Sequence, residues 1–253
     1  MQRYFLETPQ QDGDQVTLPA TVQHHWVVVL RAQVGDVAEF VDQTAHLFHG
    51  ELLRVTNDGH AEVRLTAVVT PTVELPAHVI IACGLPKQEK AEWIAQKATE
   101  MGVQQVIFYG ADWSIAKWHS QKVAKKVARL TKVANGAAEQ SHRLVRPTVT
   151  YVPNLAAVLA TPNDLTLMAY EESAKRGEHS ALTANLQRVV AGQTVLAIFG
   201  PEGGISPAEV TQAQTAHAIL VGLGPRILRT ETAPLYFLAA ASTIWELQSP
   251  QRG

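Results

Sequence analysis

From residue 78 onward, short apolar runs alternate with longer stretches of helical periodicity, and this alternation restricts the fold more than any other feature of the chain. Residues 78–82, 105–109, 165–169, 194–199 and 218–221 read as strands, and residues 87–101, 120–140 and 231–247 read as helices. The runs are apolar at successive positions, so the strands are buried on both faces. That pattern predicts an α/β fold, a parallel sheet with helices packed on either side.

The first 70 residues behave differently. Residues 27–30, 37–41 and 61–65 are rich in β-branched side chains and read as short strands. Gly35-Asp36 and Asn57-Asp58-Gly59 mark turns, the second with hairpin chemistry. Short strands at this spacing suggest a small β-barrel. Pro71 and Pro76 bracket a boundary, giving an expected division into residues 1–72 and 73–253.

Composition narrows the chemistry. Cys83 is the only cysteine, so no intrachain disulfide is possible. No apolar run approaches the roughly 20 residues that span a bilayer, and residues 1–7 turn acidic too early for a secretory signal; the expected location is cytoplasmic, with no membrane partner. His24-His25 and His46-x-x-His49 lack the partners of a metal site, and no metal is expected. The formal net charge is only −2, but residues 117–146 hold eight bases and one acid, a local charge of +7. Lys122, Lys125, Lys126, Arg129 and Lys132 share a broad helix face, with Val123, Val127, Leu130 and Val133 opposite. A solvated lysine face is the plain alternative; Arg143 and Arg146 tilt the reading toward a polyanion.

Two loops carry the remaining signal. Phe199-Gly200-Pro201-Glu202-Gly203-Gly204-Ile205-Ser206-Pro207 follows a strand and leads into a helix, with Ser206 as N-cap and Pro207 at the first helical position. Val221-Gly222-Leu223-Gly224-Pro225-Arg226-Ile227-Leu228-Arg229-Thr230-Glu231-Thr232-Ala233 does the same, with Thr230 or Thr232 as a cap. In an open parallel sheet, ligands sit at the carboxyl ends of strands, so both loops can wall one pocket. Neither matches the dinucleotide fingerprint, and no P-loop or Gly-x-Ser-x-Gly elbow is present.

These motifs, with Leu85-Pro86-Lys87, Glu92-Trp93-Ile94, residues 96–103, Ala138-Glu139-Gln140-Ser141-His142-Arg143 and Val29-Leu30-Arg31 followed by Val34-Gly35-Asp36, resemble the ribosomal RNA small-subunit methyltransferase E family across nearly the whole chain. The resemblance implies an amino-terminal PUA-like β-barrel that helps hold RNA. It implies a carboxyl-terminal SPOUT domain, a parallel sheet with a deep trefoil knot. It also implies a homodimer that uses S-adenosylmethionine to methylate N3 of uridine 1498 in 16S rRNA of the small ribosomal subunit. Pro234-Leu235-Tyr236-Phe237 departs from the small residues usual in the family after Thr232-Ala233.

On that resemblance, the expected cofactor-binding residues are Met168, Ala169, Tyr170, Gly200, Pro201, Gly203, Gly204, Leu223, Gly224, Ile227, Leu228 and Thr230. Arg229 is the candidate to steady charge on the base, and Glu231, Glu202 or Glu139 to accept its proton. The RNA-facing set is Arg3, Arg31, Lys87, Lys125, Arg129, Glu139, Arg143, Arg146 and Arg226. The apolar stretch 235–245, with Tyr236, Phe237, Ile244 and Trp245, is expected either at the dimer interface or against its own core. Two competing readings stand beside this one. A noncatalytic RNA-binding protein of ribosome assembly would bind RNA without any cofactor affinity. A nucleotide-dependent enzyme would show competition by ATP.

Overall fold

Two units divide the chain, one made of Met1–Glu74 with Ala138–Val145, the other of Leu75–Ala137 with Arg146–Gly253. The computed structural model describes residues 1–56, 59–69, 73–87, 89–171 and 180–248.

The first unit contains β1 (Arg3–Phe5), β2 (Gln15–Thr17), α1 (Ala20–Gln23) running into a π-helical turn over His24–Val29, β3 (Val37–Val41), β4 (Leu47–Val55) and β5 (Ala61–Ala67). They form a five-stranded sheet in the order β1-β3-β4-β5-β2. β1 runs parallel to β3 and the other neighbours are antiparallel. Alternation along β5 buries Ala61, Val63 and Leu65, which join Tyr4, Trp26, Phe40 and Leu52 in one core.

The strand expected over residues 27–30 is absent, because that segment lies in the π-helical turn and its exit. Val22 and Trp26 are four residues apart, and helical spacing sends both into the core. Trp26 there packs against Tyr4 and Phe40. Burial of the indole outweighs the β-propensity of the three valines, and Val28 and Val29 are left exposed. The hairpin is present: Val55 pairs with Ala61, and Thr56 N–H donates to the His60 carbonyl at 2.7 Å. Its tip residues Asn57 and Asp58, and the boundary residues 70–72, lie outside the described residues.

Residues 138–145 bring His142 and Arg143 into this unit, which then holds two buried arginines, Arg3 and Arg143. Arg3 Nε meets Glu39 Oε2 at 2.9 Å, and the same oxygen is 3.0 Å from His142 Nδ1. Arg143 forks onto Glu74, Nε to Oε1 at 3.0 Å and Nη2 to Oε2 at 2.6 Å, while Leu144 N–H donates to Glu74 Oε1 at 2.9 Å. Arg3 is 4% exposed and Arg143 2%. Both are therefore corrected from phosphate contacts to internal ion pairs.

In the second unit β6 (His78–Gly84), α2 (Lys90–Glu100), β7 (Gln105–Tyr109), α3 (Ser120–Gln140), β8 (Thr148–Val152), α4 (Leu155–Leu159), β9 (Leu165–Ala169), α5 (Ala181–Leu186), β10 (Thr194–Phe199), α6 (Pro207–Thr215), β11 (Ile219–Val221) and α7 (Ala233–Ser242) follow in sequence. The last three residues of α3 cluster with the first unit. The six strands are all parallel, in the order β11-β9-β10-β6-β7-β8. Alternate residues of β6 and β10 face opposite layers. Val79, Ile81, Cys83, Val195, Ala197 and Phe199 pack with α2, α3, α5 and α7. Ile80, Ala82, Leu196 and Ile198 pack with α4 and α6. The expected α/β architecture with a doubly covered parallel sheet is what forms.

The carboxyl-terminal helix begins at Ala233 and passes through a π-helical turn over Thr243–Leu247. Thr232 is its N-cap residue but makes no side-chain capping bond, and Pro234 sits in the first turn, where a missing N–H costs nothing. Phe237, Leu238, Ala241 and Trp245 are buried in this unit's own core, and Trp245 Nε1–H donates to the Leu186 carbonyl at 2.8 Å.

Candidate active site

The order β11-β9-β10 places the ends of three neighbouring parallel strands side by side, at Val221, Ala169 and Phe199. The loops that leave them wall a pocket of about 380 Å³. Ala169, Tyr170, Gly200, Pro201, Gly203, Gly204, Leu223, Gly224, Ile227, Leu228 and Thr230, all expected from the sequence, line it. Met168 does not: the period of the strand turns its side chain into the opposite layer, fully buried with Ile80 and Ile198. Arg226 was expected to face RNA, and it too stands in the wall with its side chain exposed. Trp113, Glu171, Phe199, Ile205, Pro207 and Ala233 complete the lining.

Glycine is required at several of these positions by close approach. A Cβ on Gly200 would fall 2.8 Å from Ile205 Cγ1 and 2.9 Å from the Gly204 carbonyl carbon. One on Gly84, at the end of β6, would meet Pro201 Cδ at 2.6 Å. Gly204 and Gly224 hold φ of +82° and +84°, which a side chain would strain. The loop ends in a capping box: Glu209 N–H donates to Ser206 Oγ at 3.1 Å and Ser206 N–H to Glu209 Oε2 at 2.9 Å, with Pro207 in the first turn, as the motif predicts.

Lys90, at the start of α2, ties the two glycine loops together. Its Nζ lies 3.0 Å from Glu202 Oε1 and 3.0 Å from Glu231 Oε2. Glu202 Oε1 also accepts from Lys87 N–H at 3.1 Å. Burial pushes the Glu202 carboxyl up, but the Lys87 and Glu202 backbone N–H groups and Lys90 outweigh it and hold the group below the usual carboxylate range. Burial likewise raises Glu231, and its own N–H, Lys90 and Arg229 bring it below that range. Both carboxylates hold Lys90 above its ordinary value. Glu202 and Glu231 are thus held as carboxylates against Lys90. Lys90 carried no sequence signal, because its partners lie 112 and 141 residues further on.

The other expected positions are spread across the two units. Arg229 is exposed close to Glu231, whose ionised form it favours. Lys122, Lys125, Lys126, Arg129 and Lys132 are exposed on α3, with Leu130 buried behind them. Arg129 is engaged by Glu92 through two contacts of 2.9 and 3.0 Å. Lys87 is exposed and Arg146 partly buried. In the first unit Arg31 is exposed at φ +59°, and Glu139 is partly buried near Tyr4. Burial and the Glu139 charge push the Tyr4 hydroxyl up to about 12.

A family profile described as an RNA methyltransferase domain matches residues 73–242. The ribosomal RNA small subunit methyltransferase E of Bacillus subtilis is 42% identical over 252 residues, covering 98% of each chain. A ribosomal RNA small subunit methyltransferase E from Neisseria gonorrhoeae, bound to S-adenosyl methionine, superposes with a TM-score of 0.83 at 28% identity, covering 97% of this chain and 98% of that one. A putative methyltransferase of Legionella pneumophila, in complex with bound cofactor, gives 0.81 at 27% identity and covers 95% and 96%. With a relative this similar over its whole length and a matching profile over most of the chain, this protein belongs to the ribosomal RNA small subunit methyltransferase E family.

Proposed function

We propose that this chain transfers a methyl group from S-adenosylmethionine to N3 of a uridine in small-subunit ribosomal RNA, uridine 1498 of 16S rRNA. The observation that carries the reading is the 380 Å³ pocket walled by the two glycine loops at the ends of β10 and β11, the strands that flank β9. Its chemistry suits the cofactor. Phe199, Pro201, Ile205, Leu223 and Leu228 offer apolar surface to an adenosyl group, while Thr230 and the backbone of the glycine-bearing turns offer hydrogen bonds. When bound, the cofactor supplies a methyl group already activated on a sulfonium, and the protein supplies position and field.

N3 of uridine carries a proton and must lose it to act as nucleophile. Arg229 stabilises the resulting negative charge on the base. Glu202 and Glu231 do not take the proton, because Lys90 holds both as weakly basic carboxylates. It passes to water at the exposed mouth. The N3–H bond breaks, the N3–methyl bond forms, and the methyl–sulfur bond breaks. Exposed Lys122, Lys125, Lys126 and Lys132 contact RNA phosphates.

The first unit is read as the PUA-like barrel that assists RNA binding. A trefoil knot in the second unit is favoured by the strand order, in which β9 lies between the two strands that follow it in sequence. The homodimer is favoured by apolar groups left outward near the carboxyl terminus, Tyr236 at 38% and Leu247 at 77% exposed. The site of action is the cytoplasm, where the substrate is assembled. The test is calorimetric titration with S-adenosylmethionine followed by tritium-methyl transfer to unmethylated small subunits. Binding, with label mapped to N3 of one uridine, is expected. Binding without transfer would overturn the substrate assignment, and no binding would overturn the enzyme.

A further inference from the structure

We propose that the Trp113 indole is the platform on which the substrate nucleobase stacks after leaving its place in the RNA. The proposal rests on the methyl-transfer reading and adds to it a residue that meets the base.

Trp113 stands in the pocket wall and is 48% exposed. Each of the other four tryptophans has a partner. Trp26 packs with Tyr4 and Phe40, and Lys97 lies over Trp93 at 5.4 Å. Trp118 lies against Phe108, Tyr151 and Lys126, and Trp245 donates to the Leu186 carbonyl. Among the described residues, no ring or cation covers Trp113.

The backbone that presents this ring is fixed from both sides. Ser206 Oγ–H donates to Asp112 Oδ2 at 2.6 Å, and Asp112 N–H donates to Glu209 Oε1 at 3.1 Å. Ser114 is buried, with its N–H on the Ala111 carbonyl at 3.0 Å. Gly203 sits so close that a Cβ there would fall 2.9 Å from both the Cβ and the carbonyl oxygen of Trp113. The capping box of α6 and the glycine loop thus hold a large aromatic ring at the pocket's rim.

The pocket has a depth order. Phe199, Ile205 and Thr230 are buried at 1, 6 and 7%, whereas Ile227 is 76% exposed and Arg226 and Pro207 are exposed. The buried wall meets the cofactor. Trp113 belongs to the exposed rim, with an aliphatic and a guanidinium side chain, and such a rim suits a nucleobase joined to a phosphate. A base drawn from structured RNA loses its stacking neighbours, and an aromatic side chain that replaces them offsets the cost.

The test uses the full chain with Trp113→Ala and Trp113→Phe. Three quantities are measured: S-adenosylmethionine affinity by calorimetry, kcat/KM on unmethylated small subunits, and affinity for a short single-stranded uridine-rich RNA in the presence of S-adenosylhomocysteine. Stacking predicts a fall in kcat/KM of roughly 10- to 100-fold in the alanine variant, with a parallel loss of oligonucleotide affinity. Phe should recover most of both, and cofactor affinity should stay within about twofold of wild type. A cofactor affinity weakened by tenfold would overturn the proposal and give the indole to the adenosyl group. Unchanged kcat/KM and oligonucleotide affinity would also overturn it. If the wild-type chain methylates no small subunits, the functional reading falls, and the oligonucleotide measurement still decides the stacking.

Discussion

Replacing Lys90 by methionine keeps an apolar stem of similar length and removes only the cation. Glu202 and Glu231 each lie 3.0 Å from the same Nζ, so their nearest oxygens are at most about 6 Å apart. Two unit charges at that distance repel by about 3 kcal/mol at an effective dielectric of 20. The three side chains are 25, 25 and 19% exposed, so water and a small parting of the loops relieve part of this. A net cost of about 1–2 kcal/mol is expected, above an exposed pair and below a fully buried one. For a domain of this size the thermal midpoint should fall by roughly 2–8 °C. The repulsion bears on the two loops that wall the pocket, so cofactor affinity should fall about 5- to 30-fold.

Scanning fluorimetry and calorimetric titration of wild type and Lys90→Met measure both effects. Adding Glu202→Gln and Glu231→Gln to Lys90→Met removes the repulsion and should restore part of each. A melting point within 1 °C and an affinity within twofold of wild type would refute the clamp, as would a triple variant no better than the single one.

Three further outcomes follow from the same structure. Arg229→Ala should abolish methyl transfer while leaving the fold and cofactor affinity nearly intact, whereas Glu231→Gln should retain transfer, with a kcat/KM that rises smoothly with pH; loss of cofactor affinity in the arginine variant would reassign Arg229 to binding. Folded Glu202 and Glu231 titrate below their ordinary 4.5, so their stabilisation is full above that value and is lost as pH falls through the lowered ones; wild type should lose stability over this acid range more steeply than a Glu202→Gln, Glu231→Gln double variant, as read by urea midpoints. Arg143→Ala strands Glu74 and should cost about 3 kcal/mol of stability without altering the salt dependence of RNA binding, while Lys125→Ala should leave stability unchanged and reduce that dependence by about one phosphate contact.

Legibility in the sequence followed the range of the forces involved. Five of the second unit's six strands were readable because burial on both faces writes a continuous apolar run, and β7, β9 and β10 appear with the boundaries the runs suggest. α6 was readable because a capping box is local, spanning only Ser206 to Glu209. β1, β2, β4 and β8 were not named as strands: the first two have only three residues each, and their strand conformation comes from pairing with distant partners. The π-helical turn after α1 defeated a β-propensity reading for the same reason, since what fixes it is the Trp26 ring in a core built from β1, β3, β4 and β5.

Charge was the least legible property, and the arginines show why. Arg3, Arg129 and Arg143 looked alike in sequence as bases available to a polyanion. In the structure two are buried against Glu39 and Glu74, and the third is forked onto Glu92. Each acid lies 36 to 69 residues away, a separation at which sequence charge counting sees no pair. The lysines of α3 kept their exposure because a helix face is defined within a few residues of itself. The local excess of +7 at residues 117–146 therefore overstates the charge left free to meet a polyanion. The same reasoning locates the clamp: Lys90, Glu202 and Glu231 read separately as a helix-start lysine and two loop carboxylates. Only the adjacency of the strand ends brings them together, with Lys90 within 3.0 Å of one carboxylate from each glycine loop.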